Sequence, residues 1–348
     1  MQKLVAFFLL LVYNVLQTSA QTLGGNAVFT FLNHPANAQQ AALGGINISL
    51  INSDVSLAAA NPALLRSTMH QHMHGSFNAF FAGIKDVSLT TALTKAGSKL
   101  NTGAHIHFIN YGNITQTDAA GNITGSFRAT DYVVQGMASV LYKNNWWLGG
   151  TLKFIQSSYG QYRSNGVAMD VALNYSNNNN DMQIALLVKN MGTQLRTYSG
   201  ESNKTELPFD MQLGISKKLP NAPFQFSLTA HHLHKLNMYY NDSLYKQAEG
   251  DESYQNANTL KKIFSHLVFG TQILAGEKIE INLGYNFLRR TDLNAFNVTK
   301  GLNGFTMGAA LKLKKLHFRY ATGFFQRNNF HQMGLTLNLK GKDLVNME

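Results

Sequence analysis

Length, composition and charge narrow the classes of protein to which this sequence can belong. The 348 residues contain no cysteine, which excludes a disulfide framework, cysteine-ligated zinc, a thiol nucleophile and a lipidated N-terminal cysteine. The formal net charge of +11 suits nucleic acid, yet there is no zinc-finger spacing, RNP-like aromatic segment or basic helix. We therefore expect no nucleic-acid partner. We expect the basic groups to contact lipid head groups or an acidic surface.

The N-terminus has the three regions of a secretory signal peptide. Lys3 is followed by an apolar run over residues 4–16 and then by small residues that end at Ala20. The run is shorter than the roughly 20 apolar residues that a membrane-spanning helix needs. We predict a signal peptide over residues 1–20, cleaved between Ala20 and Gln21; a retained amphipathic helix is the alternative.

Residues 21–70 precede the first strand pattern and are rich in alanine, asparagine and glycine. They carry too many apolar side chains for a disordered segment, namely Leu43, Ile46, Ile48, Leu50, Val55, Leu57, Leu64 and Leu65. We predict a small hatch in the periplasmic mouth of a barrel. A flexible periplasmic leader is the alternative.

From about residue 71 the sequence alternates apolar with polar or small residues, which is the pattern of β-strands. The clearest case places Ile279, Ile281 and Leu283 on one face, with Glu280 and Asn282 on the other. We predict an all-β, antiparallel transmembrane barrel of about fourteen strands over residues 71–340, with a tail over residues 341–348. The strands fall near residues 71–82, 85–95, 98–110, 131–143, 145–157, 163–176, 181–190, 208–219, 223–234, 264–275, 277–289, 303–314, 316–325 and 331–340.

The connections between these segments alternate in length. Those after even-numbered strands are short, whereas long ones over residues 110–130, 191–207, 235–263 and 290–302 follow odd-numbered strands. Outer-membrane barrels have short periplasmic turns and long outer loops. The alternation therefore predicts an exported outer-membrane barrel with loops at the cell surface.

Histidines at alternate positions raise the question of a metal site. They are His70 with His72 and His74, His105 with His107, and His232 with His234. Successive residues on one face of a strand lie about 6.6 Å apart, too far for three to reach one ion easily. We interpret them as lumen-lining or interfacial and expect no metal, no cofactor, no catalytic residues and no enzymatic activity.

Arginines and aromatic residues at the strand ends suggest surface contacts. The planar guanidinium suits phosphate and carboxylate, so we predict partner or lipopolysaccharide contacts at Arg163, Arg196, Arg289, Arg290 and Arg327. Trp146, beside a predicted periplasmic turn, is the candidate for the inner membrane girdle.

Several stretches carry a family resemblance. Ala41-Ala42-Leu43-Gly44-Gly45 with Asn61-Pro62-Ala63 is similar to the opening of FadL-like outer-membrane barrels. Longer stretches are LGGNAVFTFLNHPANAQQAALGG (residues 23–45), HFINYG (107–112), LKFIQSSYGQY (152–162), VKNMGTQLRTY (188–198) and LPFDMQLGISKKL (207–219). Together they resemble the PorQ family, FadL-like barrels of the type IX secretion system of Bacteroidota.

The resemblance implies an outer-membrane anchor in the attachment complex of that system. Such a barrel holds a PorZ-like surface protein beside PorU and PorV, while the complex processes cargo and links it to anionic lipopolysaccharide. The family offers no catalytic residue. The alternative is a FadL-like transporter, which passes hydrophobic or small polar molecules through a hatch and a lateral opening. Inward residues such as Glu280, Asn282 and Lys153 are polar, which weakens passage of an acyl chain.

Overall fold

A computed structural model describes residues 27–94, 98–200, 202–235, 238, 259–293, 301–325 and 328–339. Fourteen antiparallel strands form one closed barrel in which each strand pairs with its neighbours in sequence and β1 pairs with β14. The predicted fold class is therefore confirmed. The strands are β1 (His72–Ala79), β2 (Lys85–Ala92), β3 (Leu100–Thr117), β4 (Ile123–Lys143), β5 (Trp146–Tyr159), β6 (Tyr162–Ser176), β7 (Met182–Arg196), β8 (Asp210–Lys218), β9 (Phe224–Ala230), β10 (Leu267–Ala275), β11 (Ile279–Asn286), β12 (Phe305–Lys312), β13 (Leu316–Phe325) and β14 (Asn328–Asn338).

Side chains alternate between the two faces of the wall, as the period of a strand requires. On β11, Ile279, Ile281 and Leu283 are exposed on the outside, whereas Glu280 and Asn282 are buried inside. Most positions on the other strands follow the same pattern, with apolar side chains outward and polar ones toward the lumen. Inward apolar residues such as Ile109, Val133 and Ile155 are exceptions, and they pack against the hatch. The main pattern is the arrangement expected of a barrel that lies in lipid.

The strands differ in length between two parts of the wall. We call β3 to β7 the tall half, because each has 14 residues or more, and β8 to β14 with β1 and β2 the short half, because none exceeds 11. The hairpin of β3 and β4 contributes most to this difference, and its register shifts between Asn110 and Asn113. Residues 110–130 were predicted as a loop; that prediction was wrong, because most of them continue the two strands.

The two ends of the barrel also differ. One end, the short-turn end, has tight connections such as Asn144-Asn145, where Asn145 takes a positive φ of 71°. The other, the long-loop end, carries the connections over residues 197–209, 231–266 and 287–304. Short helices are α1 (Ala38–Ala42), α2 (Thr259–Ser265) and α3 (Phe287–Leu293), and 3₁₀ turns cover Thr30–Asn33, Val55–Ala59, Pro62–Leu64, Ser67–Met69 and Phe81–Gly83. Within the described residues, no helix has the length and apolarity to cross a membrane.

Residues 27–71, the hatch, fill the lumen. Near the long-loop end the Val28 amide donates to the Glu206 carbonyl at 2.9 Å. Near the short-turn end Ser139 Oγ donates to the Leu65 carbonyl at 2.6 Å. The hatch was predicted to sit in the periplasmic mouth, but it runs the length of the lumen, because its apolar side chains find cover at both ends. Residues 1–20, the cleavage point at Ala20 and Gln21, and the tail over residues 341–348 lie outside the described residues.

Candidate functional site

Short capped turns give the hatch its path through the lumen. The Asn37 side chain accepts from the Gln40 amide at 2.8 Å, Asp54 from the Ser56 amide at 2.8 Å, and Asn61 from the Ala63 amide at 2.9 Å. Asparagine and aspartate favour such N-caps because their short oxygens reach backbone amides left free at a helix start. The hatch therefore keeps a defined shape with very little regular helix.

The short half holds the hatch through charge and hydrogen bonds. Asp54 is buried and forms an ion pair with Arg319 on β13, and it also accepts from Thr336 Oγ1 at 2.9 Å. Burial raises the pKa of the Asp54 carboxyl, but the adjacent Arg319 guanidinium outweighs it and holds that pKa well below its ordinary range. Glu280 accepts from Gln39 Nε2 at 2.9 Å and lies 3.6 Å from Lys312 Nζ.

The tall half holds the outer part of the hatch through apolar packing. Phe29, Phe31 and Leu32 are buried against the inward apolar side chains of β3, β4 and β5. The wall residues of this apolar cluster are Ile109, Val133, Ile155 and Ala168, with Leu207 from the loop before β8. The hatch thus closes the lumen at the long-loop end.

Below the apolar cluster the lumen is polar. His107 Nε2 lies 2.6 Å from Asp86 Oδ1, and His34 of the hatch lies 3.4 Å from the other carboxylate oxygen. A small cavity beside them is lined by both histidines and by Gln135, Lys153 and Lys189. His72, His74 and His105 are also buried in the lumen, which confirms the lumen-lining interpretation for these histidines.

The described wall has no lateral gap at mid-height. Every pair of neighbouring strands is joined by a ladder, and the one mid-height interruption on β6 and β7 falls at Asp170 opposite Asn190. That interruption is filled, because the Asn190 amide donates to Asp170 Oδ1 at 2.8 Å and Lys153 Nζ lies 2.7 Å from Asp170 Oδ2. A molecule in this lumen has no apolar exit through the described wall.

The five arginines predicted as surface contacts differ in where the structure places them. Arg163 and Arg196 are exposed at the long-loop ends of β6 and β7, and Ser164 Oγ donates to the Arg196 carbonyl, which shows that the two backbones are adjacent there. Arg290 donates to the carbonyls of Gly301 and Asn303 in its own loop. Arg327 lies outside the described residues.

Arg289 was predicted to face a partner or lipopolysaccharide, but it turns toward the lumen. Its guanidinium lies against Gly45 of the hatch and stacks over the Phe325 ring at 5.0 Å. The close contact is possible because glycine has no Cβ. Its contact role is therefore a mistaken prediction, whereas the roles of Arg163, Arg196 and Arg290 stay predictions.

Trp146 lies at the short-turn end of β5. Its side chain is 39 % exposed and its ring packs 5.0 Å from that of Tyr175. The neighbouring Trp147 faces inward, where the Arg66 guanidinium stacks on it at 3.9 Å. The membrane girdle role of Trp146 stays a prediction, and its placement on the outer face suits that role.

Sequence reasoning missed one cluster at the long-loop end of the short half. The ring nitrogens of His231 and His232 and a carboxylate oxygen of Asp210 all lie within 4.8 Å of one another. Burial lowers the pKa of His231 to about 3, so the ring is neutral at ordinary pH. The sequence paired His232 with His234 by strand alternation, which does not bring His231 and Asp210 together.

Comparisons with known proteins identify the fold. No profile of a known protein family and no curated protein sequence matches the chain. Among solved structures, the CymD monoaromatic hydrocarbon channel is similar with a TM-score of 0.52 and 12 % identity, over 90 % of this chain and 99 % of that one. The toluene transporter TodX of Pseudomonas putida is similar with a TM-score of 0.53 and 10 % identity, over 87 % of this chain and 97 % of that one.

A FadL homologue of Pseudomonas aeruginosa is similar at the same level, with a TM-score of 0.50 and 7 % identity, over 87 % of this chain and 98 % of that one. TM-scores of 0.50 to 0.53 show a common fold, and at identities of 7–12 % the likeness extends to the fold alone. The chain therefore has the FadL-like outer-membrane barrel fold.

Proposed function

We propose that the chain is an outer-membrane anchor, without enzymatic activity, whose long-loop end binds a protein at the cell surface. The observation that carries this proposal is a filled lumen inside a wall without a lateral gap, combined with a hairpin that rises above the rest of the barrel. A barrel of this kind offers an external surface for binding and no described apolar route for a solute.

The β3–β4 hairpin supplies the binding surface. A tilted strand needs about 9–11 residues to cross the hydrocarbon layer, whereas β3 has 18 and β4 has 21. At about 3.3 Å per residue, the excess on β3 is on the order of 25 Å of strand. Near its tip Ile114 and Ile123 are 36 % and 76 % exposed, and exposed apolar side chains outside the membrane favour a protein partner.

The sequence resemblance to the PorQ family specifies the anchor further. On that basis we propose a PorZ-like surface protein as the partner, in one complex with PorU and PorV of the type IX secretion system. Arg163 and Arg196, both exposed on adjacent strands, provide two guanidinium groups for phosphate of lipopolysaccharide. The signal peptide and outer-membrane location form part of the same proposal.

Removal of the hairpin tests the anchor. Residues 112–128 are replaced by Asn-Gly, which suits a two-residue turn between the paired lower parts of β3 and β4. We expect the tagged, detergent-solubilised wild type to retain a stoichiometric surface partner and the shortened variant to lose it, while both remain folded barrels by heat-modifiable gel migration. Equal retention by the shortened variant would contradict the proposal.

The double variant Arg163→Ala with Arg196→Ala is the matched control. It leaves the hairpin intact, so we expect the partner to be retained. The amount of co-purified lipopolysaccharide should fall if these arginines bind its phosphates.

A second candidate function is passage of a small apolar molecule across the outer membrane. The likeness to the CymD and TodX channels favours it, and the comparisons support it better than they support the anchor. The apolar cluster at the outer end of the lumen provides a surface on which such a molecule could bind after the hatch moves. Toluene uptake into liposomes that contain the purified barrel, faster than with the Phe31→Trp variant, would support passage over anchoring.

A further inference from the structure

The rings of His231 and His232 converge although the residues are adjacent in sequence. Adjacent side chains on a strand point to opposite faces. Here β9 ends at Ala230, and His232 takes a φ of 53°, a left-handed conformation that is uncommon for residues other than glycine. This reversal brings the two Nδ1 atoms to 2.6 Å. A local backbone strain therefore aims both rings at one point.

Asp210, the first residue of β8, faces the same point. Its Oδ1 accepts from the His232 amide at 2.6 Å, and its Oδ2 lies 3.9 Å from His232 Nδ1. Gln212 Nε2 donates to Oδ2 at 2.6 Å, which fixes the orientation of the carboxylate. Hydrogen bonds of this kind, made by groups behind a ligand, hold metal ligands in position.

The protein leaves part of this cluster without partners. His231 is fully buried, and its Nε2 atom has no hydrogen-bond partner in the described structure. The Nε2 atom of His231 lies across the ring from Nδ1 and faces away from the converging Nδ1 atoms, so it calls for an unseen water and not for the ion. In the Nδ1–Nδ1 contact one ring donates its proton and the lone pair of the other accepts it, so an ion bound by both nitrogens takes the place of that proton.

We propose that Asp210, His231 and His232 bind one transition-metal dication, with Zn²⁺ as the preferred ion. Two imidazole nitrogens and one carboxylate oxygen form three of its four ligands. The fourth position is open to water or an external ligand, since the His232 side chain is 26 % exposed. Zn–N bonds of about 2.1 Å in a tetrahedron place two nitrogens about 3.4 Å apart, so the rings separate by roughly 0.8 Å on binding.

Surrounding charges determine which cations the site accepts. Lys189 and Lys235 act on His232, and Arg289 acts on His231. With one carboxylate against these cations, the site repels ions held mainly by charge, such as Ca²⁺ and Mg²⁺. Imidazole binds Zn²⁺, Cu²⁺ and Ni²⁺ through its lone pair, so we expect the site to accept these ions. His266, which bonds the His231 carbonyl at 2.8 Å, supports the loop from behind.

Metal binding to the full-length barrel tests the site. The protein is purified in detergent with an affinity tag free of histidine, stripped with EDTA and dialysed against ZnCl₂, and bound zinc is measured. We expect one Zn²⁺ per chain, and Co²⁺ in its place should give the visible absorption of a tetrahedral complex. Calcium in excess should not displace the zinc.

Three variants locate the bound ion. His232→Ala and Asp210→Asn should each weaken zinc binding by tenfold or more. His331→Ala, which removes another histidine near the long-loop end, should bind zinc as the wild type does. Heat-modifiable migration on gels shows that each variant is folded. Absence of stoichiometric zinc in the wild type, or binding by His232→Ala and Asp210→Asn equal to that of His331→Ala, would overturn the proposal.

Discussion

The tall and short halves of the wall hold the same hatch with different main contacts, although Ser139 on the tall half also bonds the hatch and Phe330 on the short half also packs on it. The tall half packs Ile109, Val133 and Ile155 against Phe31 and Leu32. The short half uses polar contacts, including Asp54 with Arg319, Gln39 with Glu280, Asn47 with Ser227 and Ser49 with Ser216. Apolar packing is insensitive to pH, whereas ion pairs depend on protonation. The hatch can therefore be loosened from one side of the lumen at a time.

The largest effect should come from Arg319→Met on the short half. It leaves the buried Asp54 carboxylate without its cation, and removal of one partner from a buried ion pair costs about 3–5 kcal/mol. We expect a detached hatch, seen as raised conductance in planar bilayers and faster proteolysis between residues 27 and 71. Phe31→Leu on the tall half is the matched control. It should weaken the binding of the hatch to the wall by about 1 kcal/mol and leave the conductance close to that of the wild type. Unchanged conductance in Arg319→Met would break the comparison.

Substitution of two wall glycines by alanine should test whether the hatch backbone packs closely against the wall in both halves. A Cβ at Gly284 would lie 2.1 Å from the Gly44 nitrogen, and one at Gly149 would lie 2.2 Å from the Ala63 nitrogen. Each overlap with hatch backbone should cost about 1–3 kcal/mol and raise conductance in both variants. Gly136→Ala, where a Cβ meets nothing within 4 Å, is the control and should behave as wild type. A large effect of Gly284→Ala alone would show that only the short half determines hatch position.

Acid should loosen the short half by a smaller amount. The folded-state pKa of Asp54 lies below its ordinary value, so its stabilising contribution is complete above about pH 4 and is lost as the pH falls further. At pH 3 the loss is about 1 kcal/mol relative to pH 7. Conductance of the wild type should rise between pH 5 and pH 3, because the carboxyl of a released Asp54 takes up a proton in this range while the paired one does not. Asp54→Asn should show a flatter response. Identical pH profiles would refute this assignment.

The smallest effect concerns the outer face of the tall half and involves no change in stability. Trp146 and Trp147 are the two tryptophans of the chain, so Trp147→Phe and Trp146→Phe each leave one fluorophore. Lipids brominated near the head group should quench Trp146 strongly and Trp147 weakly, because the first faces outward and the second faces Arg66. Equal quenching would remove Trp146 from the membrane girdle.

The barrel was predictable from the sequence because each strand has one apolar and one polar face. On β11 this alternation of Ile279 to Leu283 with Glu280 and Asn282 is complete, and the structure follows it. The upper part of the β3–β4 hairpin was missed for the same physical reason. Water covers both of its faces, so residues such as Thr115, Gln116 and Ser126 show no alternation.

The site residues were harder to predict because no local pattern marks them. Asp54 and Arg319 are separated by 265 residues, and a pair of this kind becomes visible only when the barrel closes. The Asp210, His231 and His232 cluster depends on the positive φ of His232, which breaks the period on which the sequence analysis relied. Arg289 was misplaced because an arginine near a strand end can turn either way, and Gly45 made room for it inside.

The position of the hatch also constrains how the molecule is made. β1 pairs with β14, so the seam joins residues more than 250 positions apart in the chain, such as Phe77 and Met333. Such distant contacts form slowly, because a long loop must close before they contribute stability. The N-terminal segment must be enclosed when that seam forms, since later entry would require threading through a finished cylinder. Closure of the seam and packing of the interior are therefore coupled steps in the folding of this barrel.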